Sequence, residues 1–242
     1  MDHQPNKVAY VTGSSRGIGL ALCQKLLAEG YHVIGIARGN ELTTENFHFQ
    51  SCDLSVPAQV EQIQFDLLGT ENTLLVNNAG MIGEISPVGT QDSSGIEKVH
   101  QVNTIAPQIL MNSFIKATKQ TAGKKHILNI SSGAGKYAID AWSVYCSSKA
   151  ALDLYSAVVE QEMISRGDSS YKIHSVSPGV VDTQMQSEIR EADPNDFLES
   201  SKFHDLKQNN QLSSPIIVAD KLYQIISDPG HFPNILVSLR DF

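Results

Sequence analysis

Short apolar runs alternate with amphipathic helical patterns along the whole chain, and that alternation leaves few folds open. The runs Lys7–Thr12, Tyr31–Ala37, Phe47–Cys52, Thr73–Asn77, His126–Ser131, Lys172–Ser177 and Asn234–Leu239 read as strands. Most are short and continuously apolar, which suits strands covered on both faces. Helical patterns fall between them at Gly17–Glu29, Pro57–Leu68, roughly Gly95–Lys119, Tyr145–Ser165 and Pro215–Ser227. In the first of these, Ile18, Leu22 and Leu26 repeat every four residues on one face, and Gly30 is placed to end the helix. Pro215 suits a first helical turn, with Ser213 or Ser214 as its cap. The pattern predicts an α/β fold: a doubly wound parallel sheet of about seven strands with helices on both faces. At 242 residues, 41% of them hydrophobic, the chain is expected to bury one core and to form one domain over 1–242.

One stretch breaks the rhythm. Residues 183–214, TQMQSEIREADPNDFLESSKFHDLKQNNQLSS, are polar and too long for a simple connection. They follow a strand end, on the side where α/β sheets bind ligands, so the stretch is expected to be a lid over a substrate. The net charge of −8 gives no reason to expect a nucleic-acid surface or an anionic membrane patch. Met1–Tyr10 carries no basic start followed by an apolar run, and no stretch approaches the ~20 apolar residues of a membrane span. Three widely spaced cysteines, Cys23, Cys52 and Cys146, make no metal-ligand pattern and fit a reducing cytoplasm. The eight histidines form no ligand grouping, so no metal is expected.

The segment VTGSSRGIG joins the first strand to the first helix. Its glycines, Gly13, Gly17 and Gly19, let the backbone turn tightly beside a pyrophosphate, and the following helix start offers free N–H groups and a positive dipole end. Ser15 and Ile18 lie in the same loop. The second strand is where such a site distinguishes its cofactor. A carboxylate there would hold the ribose 2′-OH of NAD, whereas an arginine accommodates the 2′-phosphate of NADP. The strand ends in Ala37-Arg38, with no carboxylate before Glu41, and Arg16 sits inside the loop. Two arginines and no acid predict NADP(H).

Tyr145 and Lys149 are four residues apart and share a helix face. A free phenol titrates near 10, and a proton donor works best near the operating pH, so a neighbouring ammonium is expected to draw that value down.

With TGSSRGIG, Asp53-Leu54, NNAG at Asn77–Gly80, Asn103, NISSGAG at Asn129–Gly135, Tyr145–Lys149 and SPGVVDT at Ser177–Thr183 all in order, the sequence resembles the short-chain dehydrogenase/reductase family over nearly its whole length. The resemblance implies a Rossmann-like NADP-binding domain. It further implies catalytic roles for Asn103, Ser132, Tyr145 and Lys149, with Ser132 rather than Ser131 as the serine because it precedes the tyrosine by thirteen residues. It places Asp53 and Leu54 against adenine, Asn78, Ala79 and Gly80 against the cofactor after the fourth strand, and Pro178, Gly179, Val181 and Thr183 on the nicotinamide side. The implied reaction is carbonyl reduction, with Ser132 bonding the carbonyl oxygen and Tyr145 protonating it.

Around the active site, NISSGAGK, AWSVYCSSKAAL and SPGVVDTQMQSEIR are also similar to the microbial sepiapterin reductase and benzil reductase group, whose members reduce α-diketones such as benzil to (S)-benzoin, or sepiapterin. Position then proposes Ser132, Gly133, Trp142, Tyr145 and Met185 as substrate contacts. Trp142 reads equally well as a packing anchor. The short C-terminal tail puts pterin binding in question, with Asp241 the candidate replacement for a missing anchor. The alternatives are a 3-oxoacyl-carrier-protein reductase, which shares the catalytic motifs, and a non-catalytic NADP-binding regulator. The family implies a homodimer acting on a small-molecule carbonyl compound.

Overall fold

The computed structural model describes residues 6–40, 42–66 and 70–242. Residues 1–5, Glu41, and Leu68 at the end of the expected second helix lie outside the described residues. Seven strands run β1 (Lys7–Thr12), β2 (His32–Ala37), β3 (Phe47–Ser51), β4 (Asn72–Asn77), β5 (Lys124–Ile130), β6 (Tyr171–Ser177) and β7 (Leu236–Ser238). They form one sheet in the order β3-β2-β1-β4-β5-β6-β7, with every pairing parallel. This is the Rossmann-like doubly wound architecture that the alternation predicts.

Strand periodicity divides the core in two. On β1, Ala9 and Val11 face one layer, and Val8 and Tyr10 face the other. On the Ala9 side lie α1 (Gly17–Ala28) and α8 (Pro215–Ser227), which contribute Leu22, Leu26, Leu222 and Ile225. Opposite lie α2 (Pro57–Glu61), α4 (Ala106–Thr118) and α5 (Ser143–Ser165), which bring Val60, Leu110, Phe114 and Leu152. Ser214 caps α8, accepting a hydrogen bond from Ile217 N.

Two helices differ from expectation. The second ends at Glu61 rather than continuing toward Leu68. Beyond it the chain stays pinned without being helical: Asp66 N donates to Tyr10 Oη at 2.9 Å, and the Phe65 ring meets Tyr10 and Phe114 edge-on. Tertiary partners there replace the helical ones. The helix expected near Gly95–Lys119 comes in three pieces: α3 (Ser93–His100), a π-helical turn at Gln101–Ile105, and α4. Pro107 explains the break, because it has no N–H to give the carbonyl of Asn103, and a widened turn absorbs the misfit.

Residues 183–214 contain α6 (Gln184–Arg190) and α7 (Ser200–Gln208). Val181 and Ser213 pair across the base of this excursion, and Asp182 N donates to Ser213 O at 2.9 Å. The segment therefore leaves and returns at one point. No described helix is long and apolar enough to cross a membrane.

Candidate active site

Sheet order reverses between β1 and β4, and the crevice at such a reversal is where α/β sheets place ligands. A cleft of about 1700 Å³ opens there, walled by the residues that follow β1, β2, β4, β5, β6 and β7. Sites for a single drug-sized ligand run to roughly 1,000 Å³. This cleft has room for a dinucleotide with a second molecule beside it.

Side chains bind the two strand ends together at the reversal. Thr12 Oγ1 accepts from the N–H groups of Asn78 and Ala79 at 3.0 and 3.1 Å, and Asn78 Nδ2 donates to Thr12 O at 2.9 Å. Gly13 is left-handed (φ 67°), and a methyl group there would stand 2.9 Å from Ala79 Cα. Gly19 is tighter still, since a methyl there would lie 2.1 Å from Gly13 O. The expected phosphate loop therefore holds its shape by close backbone approach, with the start of α1 facing the cleft. Gly13, Ser15, Arg16, Gly17 and Ile18 line the cleft, but Gly19 stands behind its wall as a packing residue.

At the end of the cleft beside β2, Asp53, Leu54 and Arg38 line the wall together. Hydrogen bonds from the backbone and hydroxyl of Ser55 hold the Asp53 carboxyl below its usual range, and Arg38 and Lys98 add to the effect. Lys98, on α3, was not foreseen: one exposed lysine in an amphipathic helix carries no mark in the sequence. Arg16 is also differently engaged, because its guanidinium donates to Gln184 on α6 and so joins the glycine loop to the 183–214 excursion.

Midway along, Tyr145 and Lys149 project from α5 into the cleft, beneath Ser132 at the end of β5. The Ser132 hydroxyl faces the same cleft and favours the ionised form of the phenol. Lys149 Nζ donates to Ile130 O at 2.9 Å and lies 5.8 Å from the Tyr145 ring centre. The electrostatics depart from expectation. Burial pushes the Tyr145 phenol up to about 12, with the Ser132 hydroxyl opposing, and pushes the Lys149 ammonium down to about 8. Desolvation dominates the phenol, so burial favours its protonated form rather than poising it near neutrality.

Asn103 does not line the cleft. It is fully buried in the π-helical turn, with Oδ1 accepting from Met81 N at 2.9 Å and Nδ2 donating to Met81 O at 2.8 Å. A methyl on Gly80 would lie 3.4 Å from both Asn103 Oδ1 and Lys149 Nζ, so the asparagine reaches the site through the floor that Asn78–Met81 provide. Pro178, Gly179, Val181 and Thr183 all line the opposite wall.

The far end is apolar and aromatic. Trp142 stacks on Phe197 (5.7 Å) and lies 5.4 Å from Phe203, and it meets the Tyr145 ring at 90°. Ile82, Ala134, Ile189 and the partly buried Met185 complete this cluster. Trp142 thus packs and lines the cleft at once, and Gly133 and Met185 line it too. Phe197 and Phe203 escaped the sequence reading because isolated phenylalanines in a polar stretch have no periodicity to betray them. Arg240 and Asp241 of the tail also reach the wall.

The match to known proteins follows this geometry. The profile of the short chain dehydrogenase family covers residues 7–194. The chain belongs to that family. It is 35% identical to a benzil reductase ((S)-benzoin forming) of Bacillus cereus, across 94% of this chain and 96% of the relative. Among solved structures, a short-chain dehydrogenase/reductase of Saccharomyces cerevisiae superposes with a TM-score of 0.82 at 26% identity, covering 96% of this chain and 95% of its own. A 4-hydroxyisoleucine dehydrogenase complexed with NADH superposes with a TM-score of 0.79 at 26% identity, covering 96% of both chains.

Proposed function

We propose that this short-chain dehydrogenase is an NADPH-dependent carbonyl reductase that acts on a ketone or α-diketone, with benzil-like or sepiapterin-like compounds as its substrate class. One observation carries the reading: a buried Tyr145, whose phenol burial holds in its protonated form, lines one cleft with Ser132 and Lys149, and that cleft has room for both dinucleotide and substrate. The left-handed Gly13, the helix start behind it and the cations Arg38 and Lys98 suit a phosphorylated dinucleotide. A bound nicotinamide in its reduced form supplies the hydride for the carbonyl carbon.

The chain's own residues do the rest. Ser132 donates a hydrogen bond to the carbonyl oxygen and fixes its position. As negative charge develops on that oxygen, Tyr145 passes it the hydroxyl proton, leaving an alcohol and a phenolate. The Lys149 ammonium stabilises the phenolate until it is reprotonated. Asn103 braces the floor under Lys149 through Met81. Trp142 and Phe203 line the cleft with Phe197 packed behind them, which favours a bulky apolar or aromatic substituent, in line with the benzil reductase likeness. The excursion 183–214 acts as the lid, since it supplies Ile189, Phe197 and Phe203 to the buried apolar cluster and its base is pinned. A cytoplasmic homodimer completes the reading. Leu154 and Val158 support the pairing, because they stay exposed one turn apart on α5.

The test is NADPH oxidation with benzil, sepiapterin and an acetoacetyl thioester in parallel, with NADH controls. Turnover of benzil with NADPH supports the reading. Preference for the thioester moves the chain to acyl-carrier chemistry, and tight NADPH binding without turnover of any substrate favours a regulator.

A further inference from the structure

Tyr145, Lys149 and Asp153 follow one another at four-residue intervals along α5, so a phenol, an ammonium and a carboxylate stand in file on one helix face. The first two line the cleft, and the third does not. Asp153 is 7% exposed. Its Oδ1 accepts a 2.6 Å hydrogen bond from Ser175 Oγ on β6. Gly135, in the turn after Ser132, closes over its other oxygen so tightly that a methyl group there would come within 2.9 Å of Oδ2. Among the described residues it enters no ion pair.

A buried carboxylate bonded to one hydroxyl is expensive unless a charge favours it. Among the described residues, the charge that acts on Lys149 is that of Asp153, and it opposes the desolvation that drives the ammonium toward neutrality. The other elements packed around Lys149 present the Ile130 carbonyl from β5, the Asn103 carboxamide from the π-helical turn and Gly80 from the floor, none of which titrates. Around Asp153, Ser175 and Gly135 are likewise neutral.

We propose that Asp153 is a positioning residue for the reaction, which keeps Lys149 protonated at neutral pH from behind, without touching substrate or cofactor. This rests on the reading of Lys149 as the cation of the reductase site. Asp153 stands one helical turn behind Lys149, and both are buried, so its carboxyl group favours the ammonium against desolvation.

The experiment follows the lysine directly. The side-chain resonance of Lys149 is titrated by NMR in the cofactor-free protein carrying isotope-labelled lysine, for the native chain, Asp153→Asn and Ser175→Ala. Asp153→Asn preserves shape and can still accept from Ser175, and its Lys149 midpoint is expected to fall by roughly one pH unit. Ser175→Ala keeps the charge and is expected to leave the midpoint unmoved. An unmoved midpoint in Asp153→Asn overturns the proposal. So does an equal fall in Ser175→Ala, which would mark a packing effect and can be read even if Asp153→Asn does not fold. The measurement needs no substrate, so it stands apart from failure of the reductase reading. If turnover is present, the alkaline limb of kcat/KM is expected to move with the NMR midpoint.

Discussion

Lys149 Nζ donates a 2.9 Å hydrogen bond to the carbonyl oxygen of Ile130. The bond ties the cation of α5 to the last residue of β5, the strand whose next residues carry Ser132, so the ammonium and the serine hydroxyl are held by one strand end. Both line the cleft with Tyr145, so the sheet end fixes how the three groups stand relative to one another.

Removing the phenol tests the proton donor. Tyr145→Phe keeps the ring that packs against Trp142 and deletes only the acid. Reduction is expected to fall by about 10²–10⁴, while NADPH affinity, measured by fluorescence titration, stays within a few-fold. Retained turnover would place the acid elsewhere.

The pH dependence follows from the two directions of shift. Tyr145, raised to about 12, remains protonated throughout the working range, whereas Lys149, lowered to about 8, loses its charge above that value. In the free enzyme kcat/KM for reduction is therefore expected to be level below pH 8 and to decline above it. A profile that is flat through pH 10 contradicts this assignment.

Arg38 is the sharpest test of cofactor choice. It lines the cleft beside Asp53, where the proposed reading places the adenosine. A charge-assisted hydrogen bond contributes about 1.5–3 kcal/mol, so Arg38→Ala is expected to raise the KM for NADPH by at least tenfold and to leave that for NADH nearly unchanged. Equal losses with both cofactors would remove the argument for a 2′-phosphate site.

Gly19 tests the cradle. Any β-carbon there collides with Gly13 O and Asn78 Nδ2. Overpacking of this kind costs about 1–3 kcal/mol or more, so Gly19→Ala is expected to lower Tm by several degrees and to weaken NADPH binding together with it. An unchanged Tm would mean that the loop has slack.

A buried histidine pair away from the cleft predicts acid sensitivity. His126 Nε2 and His174 Nδ1 lie 2.8 Å apart, and His174 Nε2 lies 2.8 Å from Phe232 O. Both imidazoles are held below their ordinary value, chiefly by burial, with Lys172 adding to it. The unfolded chain therefore binds more protons than the native one below about pH 6.5, so stability is expected to fall as the pH drops through that region. Thermal melts at pH 7.5 and 5.5 should show the loss, and His126→Leu should reduce it.

The strand pattern was legible because a sheet covered on both faces writes its positions as continuous apolar runs, and each observed strand lies within two residues of where those runs predict it. The cleft was legible at Gly13, Tyr145 and Lys149, whose chemistry depends on their spacing, and at Ser132 through the family resemblance. Residue type and spacing do not record desolvation, so the shifts of Tyr145 and Lys149 became visible only in the folded protein. The break at Gln101–Ile105 was hidden for a similar reason. Pro107 was in view, but the depth of its effect depends on the floor that Asn103 has to reach.

That reach has a consequence for how the protein breathes. Met81 belongs to no strand or helix, yet both of its backbone groups are bonded to a carboxamide with no exposure to water. Its amide hydrogen can trade places with deuterium only when the π-helical turn releases Asn103. A residue in a loop thus keeps the clock of the interior, and its exchange rate reads out the opening of the helix beneath it.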